Sequence, residues 1–181
     1  MDDEAVTPDT KDWTSVLSQR CPECGLDAKR IAPDEIRELA PRYIGRFRAR
    51  LEEDEAASTR PEEGVWAPVE YGGHLRDVCV VFRSRVRAML LHEEPSYPDW
   101  DQDEAAISAR YLEQSPSAIA DHLGTAADDF LRDIAELSAV EYDRTGRRSD
   151  GYLFTVRSLL QYFFHELVHH WWDVSGETFA E

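Results

Sequence analysis

Apolar residues recur at helical spacing in four long stretches, with charged residues filling the positions between them. Ile36, Leu39, Tyr43, Ile44, Phe47 and Leu51 predict a first helix from about Pro33 to Leu51. Pro41 lies inside this pattern and predicts a kink or the splitting off of the first turn, because proline lacks an N–H and its ring crowds the preceding turn. A second helix should start at Trp66-Ala67-Pro68, where proline suits the first turn, and run through Tyr71, His74, Val78, Val81, Phe82, Val86 and Leu90. Gly72-Gly73 weakens it by about 1 kcal/mol per glycine. The long periodicity outweighs that cost, and the pair leaves room for a close approach to the backbone.

Ser115-Pro116 reads as an N-cap followed by proline in the first turn, opening a third long helix to about Leu137. The fourth, from about Gly151 to Val174, is apolar around almost its whole circumference, as a central bundle helix should be. A short helix from Ala105 to Leu112 lies between the second and third. The segments 52–63, 95–100 and 144–150 read as loops or turns, and no stretch alternates convincingly enough to predict a strand. The expected fold is all-α: a four-helix bundle with a short extra helix and an irregular N-terminal segment.

At 181 residues the chain suits one full core. Residues 1–30 form an expected N-terminal tail carrying a CxxC knuckle, with an anchoring patch at Trp13, Val16 and Leu17; residues 31–181 form the bundle domain. With 42% hydrophobic and 31% charged residues the composition is that of a globular protein. The acidic start, Met1-Asp2-Asp3-Glu4, does not resemble a secretory signal, and a cytoplasmic location is expected. A net charge of −17 argues against nucleic acid and anionic membranes as partners. Arg76, Arg83, Arg85 and Arg87 are expected on a solvated helix face.

The candidate chemistry lies in the histidines. His165 and His169 are separated by about 40° around their helix and roughly 6 Å along it, so two imidazoles can converge on one ion. His74 occupies the apolar sector of its own helix and is a plausible third ligand. His165-Glu166-Leu167-Val168-His169 also fits the HExxH pattern of metalloproteases. The extended form of that pattern fails, with Trp172 and Ser175 where glycine and a third histidine should stand, and no sheet is predicted to bind a peptide. Glu166 projects about 100° away from the two histidines and is expected in a solvent-facing or packing role. His170 lies off the ligand face, and His92 and His122 should be surface residues.

The segments Trp66-Ala67-Pro68-Val69-Glu70-Tyr71-Gly72-Gly73-His74-Leu75, Asp101-Gln102-Asp103 and His165-Glu166-Leu167-Val168-His169-His170-Trp171 resemble the DinB superfamily. The resemblance covers the chain from about residue 33 and leaves residues 1–30 outside. It implies a four-helix bundle whose metal triad takes one histidine from the second helix and an HxxxH pair from the last, here His74, His165 and His169. Family members include mycothiol-dependent maleylpyruvate isomerase and bacillithiol S-transferases. The resemblance therefore implies a metal-dependent thiol S-transferase or thiol-dependent isomerase acting on a small electrophile, with a low-molecular-weight thiol such as mycothiol as cosubstrate and pairing into a homodimer.

Two alternatives stay open: a non-enzymatic, stress-associated metal-binding or interaction protein, and a metal-dependent hydrolase using bound water. Three imidazoles leave coordination positions open, as catalytic zinc sites do. Zinc is the first expectation, with nickel, iron or copper equally compatible with all-histidine ligation. Glu70, one turn before His74, and Asp77 are placed to orient an imidazole through its second nitrogen. Trp66, Tyr71 and Trp172 are placed to line a pocket. Catalytic groups beyond the metal ligands are not evident.

Cys21-Pro22-Glu23-Cys24-Gly25 resembles half of a zinc-ribbon site. Cys79 is the third cysteine and lies about 140° round its helix from His74. Cys21 and Cys24 are thus reduced bystanders, a local redox pair, or a second metal half-site completed by another subunit.

Overall fold

A computed structural model describes residues 11–180. The first part of the expected tail, with Met1-Asp2-Asp3-Glu4, lies outside the described residues. The long helices are α1 (Pro33–Glu53), α2 (Pro68–Leu91), α4 (Pro116–Ala135) and α5 (Val156–Ser175), with a short α3 (Gln102–Ser108) after α2. In the bundle α4 packs against α1 and α2, and α5 closes the other side against both. No helix among the described residues is long and apolar enough to cross a membrane.

Prolines open α1, α2 and α4, as expected for Pro68 and Pro116. Glu35 accepts the Ala32 N–H and Glu70 accepts the Ala67 N–H, so the first two helices gain a carboxylate at their positive ends. The first turn is not split off at Pro41, and α1 is continuous through it. Pro41 is exposed, and the buried row Ile36, Ala40, Ile44 and Phe47 holds both halves of the helix on the bundle. Asp101 caps α3 by accepting the Asp103 and Glu104 N–H groups. That helix stops at Ser108, short of the predicted Leu112, because Arg110 takes a left-handed conformation (φ 52°) before a 3-10 turn over Tyr111–Glu113. Ser115 stands at the N-cap of α4, but its hydroxyl faces Ser117 and makes no capping bond.

A small sheet corrects the expectation of no strands. β2 (Thr145–Arg148) pairs antiparallel with β3 (Leu153–Thr155), and β1 (Ser96–Tyr97) pairs parallel with β2. Strands of two to four residues are too short to display an alternating pattern. Consequently α5 begins at Val156, five residues beyond Gly151, where the Thr155 hydroxyl accepts the Ser158 N–H.

Gly72 and Gly73 do permit a close approach, and side chains make it. A Cβ on Gly72 would stand 2.7 Å from Leu51 Cδ1, and one on Gly73 would stand 2.8 Å from Tyr111 Cγ. The arginine row of α2 is less solvated than expected. Arg83 pairs with Asp129 and Asp133 of α4, Arg87 pairs with Asp133, and Arg85 is buried. His92 and His122 are exposed.

The segment before α1 joins the same core as the bundle. Val16, Cys21, Cys24, Leu26 and Ala28 are buried with Leu159, Phe163, Phe164 and Leu167 of α5. The Gln161 amide donates to the carbonyls of Lys29 and Ile31, at 3.1 Å each, fastening the segment to that helix.

Candidate metal centre

α5 presents two histidine-bearing edges, one residue apart in sequence and about 100° apart around the axis. One carries His165 and His169, the other Glu166 and His170. The structure divides the expected triad between them. His165 and His169 meet Cys21 and Cys24, while His74 meets Glu166 and His170.

In the first cluster four ligand-type atoms lie within 4.8 Å of one another, and all four residues are buried. Cys21 Sγ is 3.7 Å from His169 Nδ1. The cysteines are free thiols. Their knuckle is held by the Cys21 N–H donating to Leu26 O (2.8 Å) and the Gly25 N–H donating to Cys21 O (3.1 Å). Gly25 is at φ 79°, a left-handed turn that favours glycine. The Trp13 ring packs on both imidazoles, with centroids 5.4 Å from His165 and 4.5 Å from His169. His169 Nε2 faces Glu23 at 3.6 Å, a carboxylate between the two cysteines. Burial pushes the Cys24 thiol up to about 12 and the His165 imidazole down to about 4. Both His165 nitrogens are buried without a hydrogen-bond partner.

The second cluster is built across α2 and α5. Glu166 Oε2 lies 3.1 Å from His74 Nε2 and 3.3 Å from His170 Nε2. On its other side His170 Nδ1 meets Asp173 Oδ2 at 2.8 Å. The His74 and His170 rings are perpendicular with centroids 4.8 Å apart, and Trp100 stacks on His74 at 5.4 Å. Burial alone would raise the Glu166 carboxyl, but hydrogen bonds from His170 and His74 hold it well below the usual range. Burial opposes charge on His170 too, yet Asp173 and Glu166 raise it to about 9. His74 is lowered, chiefly by burial.

Neither Glu70 nor Asp77 hydrogen-bonds to His74 as expected. Glu70 turns back to the Ala67 N–H and receives Arg60 through two bonds, of 2.8 and 2.7 Å. Asp77 accepts the Tyr111 hydroxyl and the Arg76 guanidinium. The carboxylate that orients an imidazole is instead Asp173, one turn along from His170 itself. Trp66, Tyr71 and Trp172 share a cavity of about 270 Å³ with Trp13, His170 and Asp173. A smaller one of about 70 Å³ opens on His74 and Glu166, beside Arg85, Trp100 and Arg148.

Glu166 and His170 were visible in the sequence only as part of His165-Glu166-Leu167-Val168-His169-His170, which holds two i,i+4 pairs offset by one residue. Helical spacing makes both pairs equally able to converge. Only packing decides which of them faces His74. Trp13, Trp100 and Asp173 carried no motif that would have singled them out.

Tetrahedral zinc places an S···N ligand pair about 3.6 Å apart and an N···N or N···O pair about 3.3–3.4 Å apart, from its usual bond lengths. The 3.7 Å separation of Cys21 and His169, and the 3.1 and 3.3 Å separations around Glu166, fit that spacing. Both donor sets therefore suit a divalent ion.

A family model for the DinB superfamily matches residues 36–174. Among solved structures the chain is similar to YfiT from Bacillus subtilis, described as "a probable metal-dependent hydrolase with an unusual four-helix bundle topology". The likeness has a TM-score of 0.63 at 16% identity and covers 83% of this chain and 93% of that one. No curated protein sequence gives a match. With the bundle, the histidine-bearing last helix and a family match over most of its length, the chain belongs to the DinB superfamily.

Proposed function

We propose that this protein is a metal-dependent enzyme whose catalytic ion is held by His74, Glu166 and His170, and that it directs a low-molecular-weight thiol at a small electrophile. The observation that carries the reading is the convergence of three ligand atoms from two helices beside open cavities. Three protein ligands leave positions for a nucleophile or substrate, which is the pattern of catalytic rather than structural zinc. A divalent ion bound there supplies a Lewis acid that lowers the pKa of a thiol or of water. Zinc is the first choice, and two histidines with one carboxylate also suit iron.

The chain's own residues prepare the site. Glu166 brings a carboxylate whose acidity is raised by hydrogen bonds from His170 and His74. Asp173 accepts from His170 Nδ1, which turns Nε2 toward Glu166 and His74. Trp100 stacks on one face of His74. Arg85 and Arg148 flank the small cavity next to His74 and Glu166, where Asp99 and Asp150 pair with Arg148 and Arg85 donates to the Pro98 carbonyl.

Hydrolysis is the second reading. It is favoured by the likeness to YfiT and by a donor set of two histidines and a glutamate, which hydrolytic zinc enzymes also use. The two separate in one experiment. Zinc-loaded protein is assayed with mycothiol, bacillithiol or glutathione against a panel of electrophiles, and with esters and amides in the absence of thiol. The expected result is metal-dependent thiol consumption that His74→Ala abolishes. Turnover of esters or amides without thiol overturns the thiol reading in favour of hydrolysis. Full metal occupancy with neither activity overturns the enzyme reading in favour of a metal-binding or interaction protein.

A further inference from the structure

We propose that Cys21, Cys24, His165 and His169 form a second, closed metal site, a four-ligand structural zinc centre that fastens the N-terminal segment to α5. It goes beyond the catalytic reading and does not depend on it.

The donor set is that of structural zinc: two thiols and two imidazoles, four ligands with no vacant position. All four ligand-type atoms lie within 4.8 Å of one another, and no ligand residue is more than 6% exposed. The knuckle is pre-shaped, since the Gly25 turn and its two backbone hydrogen bonds hold the cysteines on one side of the loop. His165 provides the decisive observation. It is 1% exposed and neither ring nitrogen has a hydrogen-bond partner. A polar atom buried in this way is desolvated without compensation, and an ion among Cys21, Cys24 and His169 removes that cost for the nitrogen that binds it. His169 adds its own geometry, with Nδ1 3.7 Å from Cys21 Sγ and Nε2 3.6 Å from the Glu23 carboxylate on its outer side.

A local redox pair leaves the two buried histidines unexplained. A half-site shared between subunits is unnecessary, because one chain supplies all four ligands. The centre also has a geometric consequence. It holds His165 and His169 against the knuckle on the edge of α5 next to the one that presents Glu166 and His170 to His74.

The test uses the full chain, reduced and loaded with zinc, and measures metal content together with the zinc X-ray absorption spectrum. The expected wild type binds two zinc ions per chain and shows sulfur scatterers. The double variant Cys21→Ser/Cys24→Ser should bind one ion and lose the sulfur signal. His74→Ala should also bind one ion while keeping that signal, so failure here is distinguishable from failure of the catalytic site. Wild-type zinc protein without sulfur scatterers overturns the proposal whether or not the serine variant folds. So does a folded serine variant that retains both ions.

Discussion

Glu166→Gln should strip the ion from the His74 site while leaving the cysteine site loaded. The carboxylate is the element common to both imidazoles, since a single oxygen, Oε2, stands 3.1 Å from His74 and 3.3 Å from His170. Glutamine is nearly isosteric, but it carries no charge, and one of its two terminal atoms becomes an N–H donor. Losing an outer carboxylate typically lowers metal affinity about 10–100-fold, and losing a direct ligand should exceed that. Dialysis at submicromolar free zinc should therefore leave one ion per chain and no turnover, with the sulfur signal unchanged. A variant that keeps two ions at wild-type affinity contradicts the role given to Glu166.

Arg60→Ala should be among the most destabilising single changes outside the apolar core. Glu70 is 3% exposed, and its carboxylate is held by a two-pronged guanidinium contact. Removing Arg60 leaves the buried carboxylate with the Ala67 N–H alone, and breaking a buried pair of this kind costs about 3–5 kcal/mol. For a chain of this size each kcal/mol shifts the melting temperature by about 2–4 °C, so a fall of about 10 °C is expected in thermal unfolding. Arg60→Ala combined with Glu70→Gln should recover part of it, because the stranded charge is gone. A fall under about 2 °C for the single variant contradicts this account of Glu70. The contact fixes the N-terminus of α2 one turn before His74, so the loss should also loosen metal binding there.

The four long helices were legible in the sequence because each carries an apolar face repeated over several turns, and Pro68 and Pro116 marked the starts of α2 and α4. The sheet was not, because its strands are shorter than the period needed to recognise them. His74 was legible as an inward-facing histidine, and His165 and His169 as two imidazoles on one edge of their helix, and all three are buried. What sequence could not supply is rotation. Spacing along α5 says that His165 pairs with His169 and Glu166 with His170, but not which pair meets α2. The knuckle shows the same limit in another form. Cys21 and Cys24 announce a half-site, while the residues placed beside them lie more than 140 positions later, on a helix whose own pattern already suggested a different use. Glu70 was misplaced for a local reason, since its carboxylate folds back on the first turn of α2 instead of reaching along the helix to His74.

The division of the histidines between two sites is tested most directly by a crystal structure of the zinc-loaded protein with anomalous data collected on both sides of the zinc edge. The expected map has two anomalous peaks, one enclosed by Cys21, Cys24, His165 and His169 and one bound by His74, Glu166 and His170. A single peak ligated by His74, His165 and His169 would contradict the account and restore the triad that the family resemblance implies.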